Sequence, residues 1–222
     1  MFEPYKILEN IRELPPFANV LEIGVGTCKN IFAILATNSD VNIFGCDLDT
    51  AGNIERTTSF HMNGFDFFTP NIESCFRQNG SITRYELYKE LSINMYNTRE
   101  MFCESELNIK LSNVIYDMDY RKYLSSLSTE LKFELIILAR LIHYEEIDLN
   151  NLFASTTEIL SINGSIFISY PISSGRRNIT ENQLLEILEA NRLEICKSKQ
   201  ENDINFVMCK RLPKHNKLRA RS

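Results

Sequence analysis

The stretch NVLEIGVGTCKNIFAIL, residues 19–35, decides the fold that this sequence predicts. It begins with a short apolar strand at residues 19–23, passes through Gly24 and Gly26, and continues with apolar residues at helical spacing. Glycines let the backbone of such a turn approach a ligand closely, and the first amides of the following helix are free to bind it. The stretch therefore predicts a strand–turn–helix unit of the kind that often holds a nucleotide.

The rest of the chain alternates between strands and amphipathic helices. The further predicted strands are VNIFGCD, NVIYD (113–117), FELIILA (133–139), SIFISYP, RLEICKSK and NFVMCKR. The predicted helices cover residues 3–14, 28–37, 81–102 with the capping box Thr83-x-x-Glu86, about 148–161, and the ten or so residues after the capping box Thr180-x-x-Gln183. Alternation of this kind is typical of a parallel sheet covered by helices on both faces. Asn163-Gly164 is predicted to be a turn before the fifth strand. Since the segment QENDI is too short for a parallel crossover, the last two strands should pair antiparallel.

Composition and cysteine spacing limit the class of protein. Apolar residues make up 44% of the 222 residues and charged residues 24%, as in ordinary globular domains. The chain has no apolar run of roughly 18 residues, and its first residues, MFEPYKILEN, lack the pattern of a signal peptide. The six cysteines are scattered without a CxxC pair, which disfavours a zinc site. We therefore expect a cytoplasmic protein with reduced cysteines, no bound metal and no membrane span.

Charge is distributed unevenly along the chain. Residues 1–209 carry 18 basic and 29 acidic side chains, whereas residues 210–222 carry six Lys or Arg and no acid. An acidic body disfavours a nucleic-acid groove, because binding to phosphates needs clustered positive charge. The basic tail is either a solvated terminus or a segment that touches RNA or an acidic partner.

The glycine turn differs from two common phosphate-binding motifs, and Glu22 is part of the difference. The dinucleotide fingerprint G-x-G-x-x-G needs a third glycine where Lys29 stands, and no GK[ST] follows as a P-loop requires. A carboxylate at the end of the first strand would repel a pyrophosphate and suits a cationic or amine-bearing ligand. With this acid included, LEIGVGTC resembles the first motif of the class I S-adenosylmethionine-dependent methyltransferases, which is an acid, any residue, and then G-x-G.

This resemblance implies that the protein binds S-adenosylmethionine as its cofactor and releases S-adenosylhomocysteine. The residues that it assigns to the cofactor are Glu22, Gly24, Gly26, Thr27, Asp47, Leu48, Asp117, Met118 and Ala139. Asp47, at the end of the second strand, would accept hydrogen bonds from both ribose hydroxyls, with Asp49 as the alternative. Leu48 would lie against the adenine ring.

Later segments match the same family in the expected order. Asp117, in VIYDMDY, would receive the adenine amino group, with Asp119 as the alternative and Met118 against the ring. FELIILARLIHYEE resembles the family's fourth strand, where the backbone of Ala139 would meet the methionine end of the cofactor. The resemblance thus implies a Rossmann-like, doubly wound α/β fold with a mostly parallel seven-stranded sheet, one antiparallel strand, helices on both faces and a segment inserted after the second strand.

The candidate catalytic residues follow the fourth strand. Methyl transfer from a sulfonium requires an aligned acceptor and exclusion of water, and it needs a base only when the acceptor holds its proton. The Asn/Asp-Pro-Pro-aromatic motif, which marks methylation of exocyclic amines, is missing, and ARLIHYEE takes its place. His143 and Tyr144 are the catalytic candidates. His143 is either a base or acceptor-orienting group, or a partly buried histidine that caps a helix.

Substrate binding is predicted at the rim of the sheet and in the inserted segment. Arg140 and Arg176, with Arg177, either bind an acidic group or are solvated. Phe65 and Phe68 belong to the aromatic segment 50–108, which forms either an apolar lid over the acceptor or a satellite core.

The sequence thus predicts one methyltransferase-like domain over residues 1–211 and a basic tail over residues 212–222. The leading hypothesis is an enzyme that methylates a small molecule. A non-catalytic binding module of the same fold, and an RNA or protein methyltransferase, are the alternatives.

Overall fold

The computed structural model describes residues 14–26, 30–31, 34–35, 38–48, 110, 112–115, 117–172, 177–201 and 203–212. Its strands are β1 (Asn19–Ile23), β2 (Asn42–Cys46), β3 (Val114–Ile115), β4 (Phe133–Ala139), β5 (Leu160–Pro171), β6 (Leu193–Glu201) and β7 (Ile204–Arg211). Its helices with described bounds are α1 (Tyr120–Ser126), α2 (Leu149–Ile159) and α3 (Glu181–Ala190). Residues 3–13 of the predicted first helix, the segment 50–108 and the tail beyond Leu212 lie outside the described residues.

The strands form one sheet in the order β3-β2-β1-β4-β5-β7-β6. The pairs β1–β2, β1–β4, β2–β3 and β4–β5 are parallel, whereas β7 is antiparallel to both β5 and β6. The prediction of a mostly parallel seven-stranded sheet with one antiparallel strand is therefore confirmed. The short β6–β7 connection explains the antiparallel pair, because a parallel crossover needs a dozen or more residues.

Each face of the sheet carries its own apolar cluster, as expected for strands that are buried on both sides. Side chains alternate along β1, so Val20 packs on one face with Ile31 and Ile34, while Leu21 packs on the other with Phe133. Ile31, Ile34 and Leu35 are helical and fully buried, as predicted for the helix that follows the glycine turn. The sheet is thus covered on both faces at the strand that leads to the turn.

Two strand predictions were wrong in detail. The third strand has only the residues of β3, because Asp117 adopts a positive φ of 57° and so leaves the strand region. Asn163-Gly164 does not form a turn but lies inside β5, where a register shift against β4 absorbs the extra residues. Leu160, predicted in the preceding helix, is already a residue of β5. These features depend on pairing between strands, which a local pattern does not contain.

Helix α1 was not predicted, although the sequence contains its start signal. Asp119 is the N-cap, and its side chain accepts a hydrogen bond from the backbone N–H of Arg121. The predicted capping box at α3 is confirmed, because Thr180 and Gln183 exchange both of its hydrogen bonds. No helix among the described residues is long and apolar enough to cross a membrane.

Tyr123 of α1 fastens β2 to the segment that leads into β3. Its hydroxyl donates to Asn113 O at 2.6 Å and accepts from Gly45 N–H at 3.1 Å. Tyr120 of the same helix provides a control for the Tyr123 hydroxyl. The Tyr120 hydroxyl is also buried, but it has no hydrogen-bond partner in the described part of the chain. Burial raises the pKa of both hydroxyls, so both are protonated at neutral pH.

We expect Tyr123→Phe to lower the free energy of unfolding by about 1–2 kcal/mol, because it removes a buried hydroxyl with two partners. Tyr120→Phe should cause no loss of stability, since it removes a hydroxyl that makes no hydrogen bond. Chemical denaturation of the two variants and the native protein measures the difference. Equal losses in the two variants would show that the hydroxyl of Tyr123 is not what fastens β3.

Candidate active site

A cavity of about 890 Å³ lies at the carboxyl ends of β1, β2 and β4. Its wall consists of the ends of these strands, the segment after β3 and the loop after β4; its residues are Ile23, Gly24, Gly26, Cys46–Leu48, Met118–Arg121, Ala139–Leu141 and Tyr144–Ile147. In an open α/β sheet, ligands bind in the crevice at the carboxyl ends of the strands, where the strand order reverses. In this sheet the order reverses between β1 and β4.

The glycine turn forms one side of the cavity and is held by the end of β2. Gly24 and Gly26 have φ values of 77° and 50°, which glycine adopts without strain. The N–H groups of Gly24 and Val25 donate to Cys46 O at 2.8 and 3.2 Å. The N–H of Gly26 donates to the Asp47 carboxylate at 2.7 Å. Each amide of the turn is therefore oriented by a residue at the end of β2.

Gly45 allows this close approach, and the sequence analysis missed it. A Cβ at this position would lie 2.6 Å from Val25 Cγ1 and 3.0 Å from Glu22 O. By contrast, a Cβ on Gly26 would meet nothing within 4 Å, so Gly26 is required only for its φ. The sequence did contain a signal for this role of Gly45, because a glycine inside a predicted strand often marks a place where another part of the backbone approaches.

Glu22 lies inside the fold and is not among the residues that line the cavity. It is only 1% exposed, and Oε1 accepts a hydrogen bond from Asn30 Nδ2 at 2.6 Å. The contact links the end of β1 to the helix that follows the turn. Glu22 is therefore placed where it can fix the shape of the turn.

Asp47 and Leu48, at the end of β2, both line the cavity. Leu48 is 66% exposed, which leaves a large apolar side chain available for contact with a ligand. The backbone of Asp47 is also tied to the next segment, since Met118 N–H donates to Asp47 O at 3.0 Å. Asp47, predicted to bind the ribose, and Leu48, predicted to contact the adenine ring, thus lie in the same part of the cavity wall.

The two acids of the DMD segment have different positions. Asp119 lines the cavity, whereas Asp117 is exposed and does not. Arg121 binds the Asp119 carboxylate through Nε at 2.9 Å and Nη2 at 2.8 Å. These hydrogen bonds lower the pKa of Asp119 to about 2, so the carboxylate is ionised at any physiological pH.

The two catalytic candidates also differ in position. Tyr144 lines the cavity and is 38% exposed, whereas His143 is 9% exposed and is not a wall residue. Their ring centroids are 4.4 Å apart, so His143 packs against the ring that faces the cavity. Ala139 and Arg140 also line the cavity, and Arg140 enters the loop with a positive φ of 51°.

The remaining predicted residues are Thr27, Phe65, Phe68, Arg176 and Arg177. Thr27, Phe65, Phe68 and Arg176 lie outside the described residues. The guanidinium of Arg177 is hydrogen-bonded to backbone carbonyls of the loop after β4. Burial raises the pKa of Cys46 to about 12, so this thiol in the cavity wall is neutral. The described part of the chain contains no group of three His, Cys, Asp or Glu residues that could hold a metal.

Similarity to solved structures identifies the fold. No protein-family model and no curated protein matches the chain. A TehB-like S-adenosylmethionine-dependent methyltransferase from Corynebacterium glutamicum aligns at 15% identity with a TM-score of 0.52, covering 95% of this chain and 89% of that one. The chain has the methyltransferase fold.

Two further structures with this fold contain a ligand. A glycopeptide N-methyltransferase complexed with sinefungin aligns at 12% identity with a TM-score of 0.54, covering 95% of this chain and 93% of that one. A magnesium protoporphyrin IX methyltransferase from Synechocystis with bound S-adenosylmethionine aligns at 10% identity with a TM-score of 0.54, covering 94% of this chain and 77% of that one. The predicted Rossmann-like, doubly wound fold class is therefore confirmed.

We expect Gly45→Ala to lower the free energy of unfolding by about 1–3 kcal/mol, because the new methyl group overpacks the contact with Val25. The same substitution should cost less in a Val25→Ala background, where the nearest atom, Cγ1, is absent. Chemical denaturation of the native protein, both single variants and the double variant gives this coupling. Additive losses would contradict a direct contact between β2 and the turn.

Proposed function

We propose that this protein is an enzyme that transfers a methyl group from S-adenosylmethionine to a small-molecule acceptor. The observation that carries the proposal is the cavity at the carboxyl ends of β1, β2 and β4, where the glycine turn and the Asp47 carboxylate are joined by a hydrogen bond of 2.7 Å. The fold shared with methyltransferase structures supports the same proposal.

The residues of the cavity fit this cofactor in size and chemistry. The volume of about 890 Å³ lies within the range of pockets that hold molecules of this size. We propose that Asp47, which binds Gly26 N–H, also accepts hydrogen bonds from the ribose hydroxyls, a role that suits a carboxylate. Leu48 and Met118 supply apolar surface for the adenine ring. We propose that the amino acid end lies against Gly24 and Gly26, with Glu22 and Thr27 as further cofactor-binding residues.

For the adenine amino group we propose Asp119 as the acceptor in preference to Asp117. Asp119 lines the cavity and is ionised, while Asp117 is exposed outside the wall. A carboxylate accepts from an amino group in either case, so the choice rests on position alone.

When bound, S-adenosylmethionine supplies an activated methyl group that leaves a sulfonium for a nucleophile in line with it. The chain has to hold the acceptor in line and exclude water. Ala139, Arg140 and Tyr144 form the wall on this side, and we propose that the Tyr144 hydroxyl orients the acceptor. His143 packs against the Tyr144 ring, so we propose that it supports Tyr144 and does not itself touch the acceptor.

Further proposals concern the segments and the setting of the protein. We propose that residues 50–108 form an inserted lid within a single domain, with Phe65 and Phe68 facing the acceptor and Arg176 near an acidic group on it.

The absence of an Asn/Asp-Pro-Pro-aromatic motif and the acidic body favour a small-molecule acceptor. Scattered cysteines, of which Cys46, Cys196 and Cys209 are free thiols, favour the cytoplasm.

The cofactor proposal is tested by titration calorimetry with S-adenosylmethionine and S-adenosylhomocysteine. Native protein should bind both, and Asp47→Asn should lose at least tenfold in affinity, because an amide cannot accept from both ribose hydroxyls as a carboxylate can. Asp40→Asn is the matched control, since Asp40 is an exposed acid that precedes β2, at the opposite end of this strand from Asp47. Absence of binding to native protein, or equal affinities in the two variants, would exclude the proposed cofactor site.

Asp119→Asn should weaken binding of S-adenosylhomocysteine severalfold, whereas Asp117→Asn should change it less than twofold. Asparagine is also a good N-cap, so the Asp119 variant keeps α1 while losing the charge. Calorimetry at pH 7 separates the two positions. The reverse ranking would assign the adenine amino group to Asp117.

The acceptor is tested with a panel of phenols, carboxylic acids, amines and thiols, in which release of S-adenosylhomocysteine is followed. We expect turnover with one of these chemical classes. Cofactor binding without turnover on any acceptor would favour the non-catalytic module, and turnover only on RNA or protein would overturn the small-molecule proposal.

A further inference from the structure

Arg177 makes three hydrogen bonds to one loop, although it is not itself among the residues that line the cavity. Its backbone N–H donates to His143 O at 3.2 Å. Its guanidinium donates through Nη1 to Ile147 O at 2.8 Å and through Nη2 to Glu145 O at 2.7 Å. A single residue thus binds alternate carbonyl groups along a five-residue stretch.

The same stretch forms the cavity wall on the side proposed for the acceptor. Tyr144, Glu145, Glu146 and Ile147 all line the cavity. Within the loop, Tyr144 N–H reaches Leu141 O at 3.2 Å and Ile147 N–H reaches Tyr144 O at 3.3 Å. Both are longer than the bonds of 2.8 and 2.7 Å that the Arg177 guanidinium donates to the same loop. The position of the wall therefore depends on Arg177.

Strand β5 fixes one end of the loop, and helix α2 fixes the other. Arg140 begins the loop, and its N–H donates to Ser169 O of β5 at 2.8 Å. Asp148 ends it as the N-cap of α2, accepting from Asn151 N–H at 3.1 Å. Between these two anchors, Arg177 binds the backbone of the loop at His143 O, Glu145 O and Ile147 O.

The geometry requires a guanidinium. Its planar fork places two N–H groups where they reach carbonyls two residues apart, whereas a lysine ammonium is a compact point charge on a flexible stem. Both bonds are charge-assisted, which makes them stronger than bonds between neutral groups. The Arg177 guanidinium therefore binds carbonyl groups of the protein itself. The sequence had left open that it binds an acidic group of the substrate.

We propose that Arg177 is a positioning residue for the methyl acceptor, acting through the loop that carries Tyr144 and Ile147. This proposal rests on the proposed function. Reaction rates are sensitive to displacements of about 1 Å, so a shift of this wall should impair acceptor alignment. The cofactor side should be spared, because Gly24, Gly26 and Asp47 are held by bonds that do not involve Arg177.

The experiment compares native protein with Arg177→Lys and Arg177→Ala. With the acceptor that the panel identifies, we expect KM to rise at least tenfold in both variants, while the dissociation constant for S-adenosylhomocysteine changes less than twofold. Added ethylguanidinium should restore part of the activity of Arg177→Ala and none of that of Arg177→Lys, whose ammonium still fills the site. Hydrogen exchange should rise in residues 141–147 and not in residues 19–26.

Arg192→Lys is the matched control, because Arg192 is an exposed arginine between α3 and β6, away from the cavity. It should leave KM, cofactor affinity and hydrogen exchange unchanged. An unchanged KM in the Arg177 variants, or a parallel loss of cofactor affinity, would overturn the positioning role while leaving the proposed function intact. Failure of native protein to bind S-adenosylhomocysteine would overturn both proposals.

Discussion

The hydrogen bond from Gly26 N–H to the Asp47 carboxylate is the contact on which the rest of the site depends. It joins the turn after β1 to the end of β2, and it works together with the two bonds from the same turn to Cys46 O. The strands are parallel neighbours, so their carboxyl ends meet at one edge of the sheet. The approach is close enough only because Gly45 has no side chain to displace Val25.

Other segments around the cavity are also held by hydrogen bonds to a neighbouring segment. Met118 N–H donates to Asp47 O, and Arg140 N–H donates to Ser169 O. Arg177 then holds the loop after β4. Most of these contacts join backbone groups of neighbouring segments, so the fold itself defines the shape of the wall. A site built in this way is suited to aligning two reactants, which is the main requirement of methyl transfer.

The parts of the fold that local patterns determine were predictable. Apolar runs located β1 and β4, a length argument gave the antiparallel β6–β7 pair, and the capping box gave the start of α3. Helix α1 was missed although Asp119 supplied its N-cap signal, because its helical pattern of seven residues is too short to stand out. The continuity of β5 through Asn163-Gly164 was not readable, since it depends on pairing with β4.

By itself, the sequence determined the strand–turn–helix unit and the positions of the acids that follow the first strands, because spacing and residue type are local properties. It could not tell which of Asp117 and Asp119, or of His143 and Tyr144, lines the cavity, since that depends on how the folded chain directs each side chain. In the tertiary structure Asp119 and Tyr144 line it. The fold also turned Glu22 away from the cavity wall toward Asn30, and Arg177 toward the backbone of a loop 30 residues earlier. The physical reason is that a hydrogen bond is directional and needs both groups in place, which only the folded chain provides.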